Sequence, residues 1–148
     1  MKFKSKLFRG VAGFTLVEVV MASCIAALTI AGIASGYIMS ADRAEWSSYS
    51  LAANSMAVQR LEQTRASKYD PLAFPSVDNL VSTNFPAISQ VLDMPISLTN
   101  KVYATNYTTI TLVRAKPPLK LIQVDCVWPY RKRGFFTNTV LTYRAADQ

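Results

Sequence analysis

Glu18 is a carboxylate next to a long apolar segment, and packing alone does not explain a charged residue at this position. It stands directly before residues 19–41, a run without a single charged side chain. Burying an unpaired carboxylate in hydrocarbon costs on the order of several kcal/mol. The side chain is tolerable where it can reach a membrane interface, but inside an apolar helix bundle it needs a cationic partner. The position of Glu18 therefore predicts a role in association between helices.

Residues suited to catalysis or metal binding are scarce. The 148-residue chain contains no histidine, so the commonest general base and the commonest metal ligand are missing together. The two cysteines, Cys24 and Cys126, lie in very different settings, and we expect two free thiols. The acidic residues of the second half lack the alternating spacing of a calcium loop. We predict no catalytic residue, no cofactor and no metal site, although a calcium site formed by distant loops stays open.

One basic cluster, Arg131-Lys132-Arg133, has aromatic neighbours in Tyr130 and Phe135. Basic and aromatic side chains together can hold single-stranded nucleic acid. Three charges at a hairpin turn are more simply explained as a solvated loop. The formal charge of the chain is +7, but only about +3 remains without residues 1–13, which weakens binding to polyanions in general. We therefore expect no nucleic-acid partner.

The segment that contains Glu18 has the composition of a membrane anchor. Its apolar part runs to Met39 and holds roughly 23 uncharged residues, or about 35 Å of helix. That length spans the roughly 30 Å hydrocarbon layer of a bilayer. Four positive residues precede it and mixed charges follow, which places the N terminus in the cytoplasm. The four are Lys2, Lys4, Lys6 and Arg9. We predict a single transmembrane helix over residues 14–41.

Two other N-terminal signals compete with this interpretation. A secretory signal also begins with positive residues, but its apolar part is about 7 to 15 residues long and uninterrupted, whereas Glu18 interrupts this one. A lipoprotein signal is the closer alternative, because Met21-Ala22-Ser23-Cys24 loosely resembles a lipobox that ends in an acylated cysteine. Met is a poor residue at the first lipobox position, and cleavage before Cys24 leaves residues 25–39 without an explanation.

The hexapeptide Gly13-Phe14-Thr15-Leu16-Val17-Glu18 follows a basic segment and opens a full-length apolar run. This combination resembles the prepilin peptidase site shared by type IV pilins and the pseudopilins of type II secretion. The resemblance covers about the first 30 residues closely and the remaining chain only in outline. It implies a leader peptide of residues 1–13, cleavage between Gly13 and Phe14, and N-methylation of Phe14.

The same resemblance implies a role for Glu18 and a set of partners. The family retains a glutamate at the fifth mature position, and the free amine of Phe14 on a neighbouring subunit is its expected partner. A buried carboxylate–ammonium pair would fix the register between subunits. The implied partners are other pilin or pseudopilin subunits, prepilin peptidase, the inner-membrane assembly platform and membrane lipid. The implied location is the bacterial inner membrane with a periplasmic C-terminal head, and then a pilus or pseudopilus.

Gly32 and Gly36 form a G-x-x-x-G pair within the apolar run. Small residues at this spacing let the backbones of two membrane helices approach closely. We predict a helix-packing surface at these two residues. The alternative, that small residues are simply common in membrane helices, stays open.

The helix is predicted to continue over residues 42–69, because small and apolar side chains recur at helical spacing up to a stop at Asp70-Pro71. The head domain, residues 70–148, begins with a connecting loop over 70–100 that holds one short strand near residues 88–92. Residues 101–114, 119–128 and 135–143 then predict consecutive strands.

The predicted fold class is α+β, with a long N-terminal helix packed against a small antiparallel sheet of about three or four strands. One face of the sheet should cover the helix near residues 51–61. Trp128 and the tyrosines are predicted to be sheet and core residues.

Taken together, these features predict a structural subunit and not an enzyme. Residues 51–65 and the short head resemble a minor pilin or an I-type minor pseudopilin more than a major subunit. The alternative is a membrane-anchored periplasmic binding domain that does not polymerise, such as a lipoprotein or a DNA-uptake pilin.

Overall fold

A computed structural model describes residues 13–93 and 101–147, except for the side chain of Lys132. The predicted leader lies outside the described residues apart from Gly13, and so does the end of the predicted 70–100 loop. The chain divides into two compact units, the first ending at Asp42 and the second beginning at Arg43.

Helix α1 spans Leu16–Arg65. We predicted a helix over residues 14–69, and the structure shortens it at both ends. At the start, Thr15 lies outside the helix and caps it. At the end, the Ser67 N–H donates to the Thr64 carbonyl at 3.2 Å, and this shorter-range bond tightens the last turn before the chain leaves the helix. Tyr69 already belongs to a strand.

The described residues form two antiparallel sheets, which confirms the predicted α+β class. A four-stranded sheet has the order β3-β4-β5-β6, so its strands are neighbours in sequence and in space. The strands are β1 (Tyr69–Asp70), β2 (Val77–Asp78), β3 (Ile88–Asp93), β4 (Val102–Ala115), β5 (Pro118–Pro129) and β6 (Phe135–Ala145). Two 3-10 helices, Ser82–Asn84 and Arg131–Arg133, complete the described part of the fold. The β1–β2 pair was not predicted, because two-residue strands leave no period in the sequence.

Alternation along β5 divides the four-stranded sheet into two faces. Ile122, Val124, Cys126 and Trp128 are buried, whereas the residues between them are partly exposed. Successive strand residues point to opposite faces, so the buried set defines the face that packs against α1. The opposite face, called the outer face below, is open.

Helix α1 meets the sheet through a narrow stripe. Ala53 and Ala57 are completely buried, and Leu61 and Thr64 follow one and two turns later. Alanine at the contact lets the helix axis lie close to the sheet. Leu51 begins the predicted contact range of residues 51–61, but it is 71% exposed, because it lies on the opposite side of the helix from Ala53.

A buried cation holds the segment after α1 against the sheet. Lys120 on β5 is 7% exposed, and its ammonium donates to both carboxylate oxygens of Asp78 at 2.7 and 2.6 Å and to the Leu80 carbonyl at 2.6 Å. The Tyr69 ring lies 4.7 Å from the same nitrogen. All three ammonium donors are therefore satisfied, which lets a lysine occupy the core.

Candidate functional site

Glu18 is not an isolated carboxylate. The Thr15 N–H donates to a Glu18 carboxylate oxygen at 3.4 Å, and the Glu18 N–H donates to the Thr15 hydroxyl at 3.3 Å. This reciprocal pair is a capping box, in which the residue before the helix and the third helical residue satisfy each other's backbone groups. The negative charge also lies at the positive end of the helix dipole. Glu18 therefore starts helix α1, whatever else it does.

The predicted cleavage site lies in the non-helical segment directly before α1. Gly13 and Phe14 are outside the helix and exposed, and Phe14 is 83% exposed. Phe14 also lines a shallow groove of about 280 Å³ with Glu18 and Val19. The peptide bond between Gly13 and Phe14 is thus accessible, and a side chain at Gly13 would meet no neighbour within 4 Å. Nothing in the local fold requires glycine there.

Gly32 and Gly36 lie on an exposed surface of the first unit. A Cβ atom at either position would meet nothing within 4 Å, so intramolecular packing does not explain the glycines. The surrounding large apolar side chains are exposed as well, among them Ile30, Ile33 and Ile38. Within the described residues, α1 is the one helix long and apolar enough to cross a bilayer.

A groove of about 800 Å³ lies in the second unit at the end of the sheet near the Arg131–Arg133 turn. Tyr103, Tyr107 and Phe135 contribute aromatic walls, while Glu45 and Arg131 contribute charges. The latter two form an ion pair between α1 and the turn. The basic turn was predicted to be a solvated loop, and the structure adds that Arg131 also ties this turn to the helix.

Tyr49 is held at one side of this groove by Asp93. Its hydroxyl donates to the Asp93 carboxylate at 2.6 Å. This hydrogen bond, together with partial desolvation, raises the pKa of Tyr49 to about 12, so the phenol stays protonated and acts as a donor. The contact fastens β3 to α1 and offers no general base.

Aromatic rings stack where α1 crosses β5 and β6. The ring centroid of Trp128 lies 5.2 Å from that of Phe136, in a stacked pair, and 6.3 Å from that of Trp46. Tyr49 contacts Tyr130 edge to face, with 5.8 Å between the ring centroids. Trp128 and Tyr130 are buried, as predicted for core residues. Tyr103, Tyr107 and Tyr143 lie in strands of the sheet, as predicted, but they are 50 to 58% exposed and are not core residues. They lie on the outer face, and a strand pattern does not show which face a helix covers.

Both cysteines are free, as expected. Cys126 is buried, and burial raises the pKa of its thiol to about 11, which makes it a poor nucleophile at neutral pH. Residues 13–93 and 101–147 contain no group of three or more potential metal ligands.

Sequence reasoning missed the cap and the ion pairs. The cap was visible as Thr15-x-x-Glu18 directly before an apolar run, which is the sequence signature of a capping box. The pairs Lys120–Asp78 and Arg131–Glu45 join residues 42 and 86 positions apart, and no local pattern connects them.

No protein-family model, characterised protein or solved structure gives a significant match to the chain.

Proposed function

We propose that this chain is the precursor of a structural subunit of a type IV pilus or a type II secretion pseudopilus. Prepilin peptidase cleaves it after Gly13, Phe14 becomes the methylated N terminus, and the first part of α1 anchors the subunit in the bacterial inner membrane. The mature subunit then joins a filament through the same helix, with its head in the periplasm.

The observation that carries this proposal is the combination found at the start of α1. An accessible Gly13-Phe14 bond precedes a capped glutamate, and the helix behind it exposes apolar side chains on every side. A soluble protein rarely exposes a large contiguous apolar surface, so this surface calls for lipid or other helices as its environment. Gly32 and Gly36, which the fold itself does not require, support close contact with another helix.

The capping box sharpens the role of Glu18. Within one chain its carboxylate already accepts a hydrogen bond from Thr15, so the glutamate is stable in a monomer. A glutamine would make the same cap, because the capping box accepts either residue. The helix dipole favours glutamate over glutamine by only about 0.3–1 kcal/mol, so a large difference between the two requires a partner that needs a negative charge, such as the amine of Phe14 on a neighbouring subunit.

The test replaces Glu18 in cells that carry the assembly machinery. We expect Glu18→Gln to insert into the membrane at the normal level but to enter sheared filaments at least about tenfold less, because the ion pair is lost. Thr15→Ala is the matched control, since it weakens the cap and leaves the charge. Normal incorporation of Glu18→Gln together with failure of Thr15→Ala would show that helix capping alone explains the motif.

The aromatic groove of the second unit favours one other function, that of a membrane-anchored binding domain that does not polymerise. It has the size and the apolar lining of a small-ligand site. This alternative predicts that the wild-type chain stays in the membrane fraction when filaments are sheared from the cells, whereas the filament proposal predicts recovery in the sheared fraction.

A further inference from the structure

Strand β6 forms one edge of the four-stranded sheet, with no strand on the side away from β5 among the described residues. It runs over 11 residues without proline and without a shift in its register with β5. Arg144 is its one charged residue. Proteins usually protect an edge of this length with charges, proline or a bulge, because unpaired backbone groups can bind another strand. Here none of these protections interrupts residues 135–143.

The direction of the free backbone groups follows from the hydrogen bonds. The Tyr130 N–H donates to the Gly134 carbonyl at 3.0 Å, and bonded and non-bonded pairs alternate along antiparallel strands. Even-numbered residues of β6 therefore bond to β5, and odd-numbered ones direct N–H and C=O away from the sheet. Between Phe135 and Tyr143, the described part of the chain supplies no partner for these outward groups.

Strand β3 forms the opposite edge of the same sheet, and there too the odd-numbered residues direct their backbone groups outward. Carried across the β5–β4 and β4–β3 registers, the same alternation makes Ser89 and Val91 the residues of β3 that direct backbone groups outward. An independent contact supports this assignment, because the Ile110 N–H points away from β5 and donates to the Ser82 hydroxyl at 2.9 Å.

The side chains on the two edges also agree. Ser89 is opposite Thr105, Thr105 is opposite Val127, and Val127 is opposite Thr137. Residues paired across a sheet share a face, so the outward-bonding residues of β3 and β6 all carry their side chains on the outer face. If β6 of one copy joined β3 of another, the helix-covered faces of both copies would lie on the same side.

Strand direction and charge fit the same arrangement. In an all-antiparallel sheet of four strands, β3 and β6 run in opposite directions, so β6 can pair antiparallel with β3 of a copy in the same orientation. This brings Asp93, the one charge of β3, towards the basic turn of Arg131 and Arg133 at the start of β6. Pairing between two β6 strands would instead require the second copy to be reversed.

From this geometry we propose that β6 pairs with β3 of a second copy of the chain and extends one sheet from subunit to subunit. This contact is heterologous and does not close on itself, so it generates an open row of subunits. The proposal rests on the proposed function in that membrane-anchored copies share one orientation, and it adds a second contact in the head to the contact between helices.

Cysteine cross-linking of the full chain in its native membrane tests the pairing. In a Cys24→Ala background, Ser89→Cys is combined in turn with Thr137→Cys, Thr139→Cys and Leu141→Cys. These combinations cover three registers in which both paired residues direct their backbone groups outward. Paired residues of this kind lie about 5.5 Å apart between Cα atoms, within disulfide range. Buried Cys126 can stay.

We expect mild oxidation to give a ladder of multimers in at least one combination and none in the single variants. Ser89→Cys with Thr109→Cys is the matched control, since Thr109 is exposed on the central strand β4. Dimers from Thr139→Cys alone would show pairing between two β6 strands and would overturn the proposal, as would the absence of ladders in every combination.

A backbone variant tests the hydrogen bonds of the pairing, with the ladder from Ser89→Cys and Thr139→Cys or Leu141→Cys as its readout. Thr137→Pro removes an N–H that points away from the sheet, so the β5–β6 pairing survives, whereas Thr137→Val keeps that N–H. We expect the proline variant alone to abolish the ladder. Shearing the same cells separates the two proposals: filaments without ladders overturn the strand pairing alone, and ladders without filaments overturn the proposed function alone.

Discussion

At the scale of single residues, Glu18 shows how one side chain can serve both a fold and an assembly. Its contacts with Thr15 begin the helix, and its charge is left to act between chains. Only the second role was predicted from the sequence, because the free-energy cost of a carboxylate in lipid was considered and the start of the helix was not. The structure supplies the first role, and this makes Glu18→Gln a sharper variant than Glu18→Ala.

Loss of Lys120 should destabilise the second unit. We expect Lys120→Met to lower the free energy of unfolding by about 2 kcal/mol, since Asp78 and the Leu80 carbonyl lose their donor. The value is below that of a fully buried pair because the Asp78 side chain is 38% exposed. Denaturant unfolding of the full chain in detergent measures it.

The double variant Lys120→Met with Asp78→Asn provides the control for this ion pair. It removes both charges, so it should be less destabilised than the sum of the two single variants. Additive losses would mean that the lysine contributes through packing alone.

The phenol of Tyr49 should lose its proton only at an unusually high pH. Its hydrogen bond to Asp93 raises the pKa from 10.0 to about 12, so the bond stabilises the fold fully below pH 10 and loses its effect as the pH rises towards 12. The difference in alkaline absorbance between wild type and Tyr49→Phe isolates this phenol. Asp93→Asn should lower the midpoint, and a midpoint near 10 in the wild type would contradict the contact.

At the scale of elements, α1 changes its surroundings along its length. In the first unit every described side chain of the helix up to Ala41 is exposed, whereas in the second unit a narrow stripe is buried against the sheet. The three-to-four-residue spacing of Ala53, Ala57 and Leu61 predicted that stripe. Leu51 lies in the predicted contact range but not in that stripe, and it is exposed because it stands about 200° around the helix from Ala53.

The close contact between α1 and the sheet should tolerate no added volume. We expect Ala57→Leu to cost about 2 kcal/mol of stability, because a completely buried alanine leaves no room for a larger side chain. Val58→Leu adds volume to the neighbouring residue, which is 42% exposed, and should change stability by less than about 0.5 kcal/mol. Thermal unfolding followed by circular dichroism compares the two, and equal effects would argue against the observed helix face.

Some strands were predicted from the sequence and others were not. Alternation in β5 and β6 was sufficient to locate both strands and their antiparallel order. The β1–β2 pair escaped prediction because Lys120, which holds Asp78 and contacts the Tyr69 ring, lies more than 40 residues away from both in the sequence. Contacts of this kind have no local signal, and the same holds for the groove near Arg131.

At the scale of the whole molecule, two surfaces remain without partners among the described residues. One is the apolar surface of the first unit, and the other is the pair of open sheet edges in the second. A subunit of a membrane-anchored filament accounts for both surfaces, since lipid and neighbouring helices cover the first and neighbouring heads cover the second. A monomeric binding domain accounts for the anchor but gives no reason for a β6 edge that has no charge, proline or bulge over residues 135–143.

The mass and N-terminal sequence of the protein purified from cells with active prepilin peptidase test this account most directly. We predict a mature chain that begins at N-methylated Phe14 and lacks residues 1–13, and a Gly13→Leu variant that keeps them. A wild-type chain that still begins at Met1 under those conditions, or one that begins at an acylated Cys24, would contradict it.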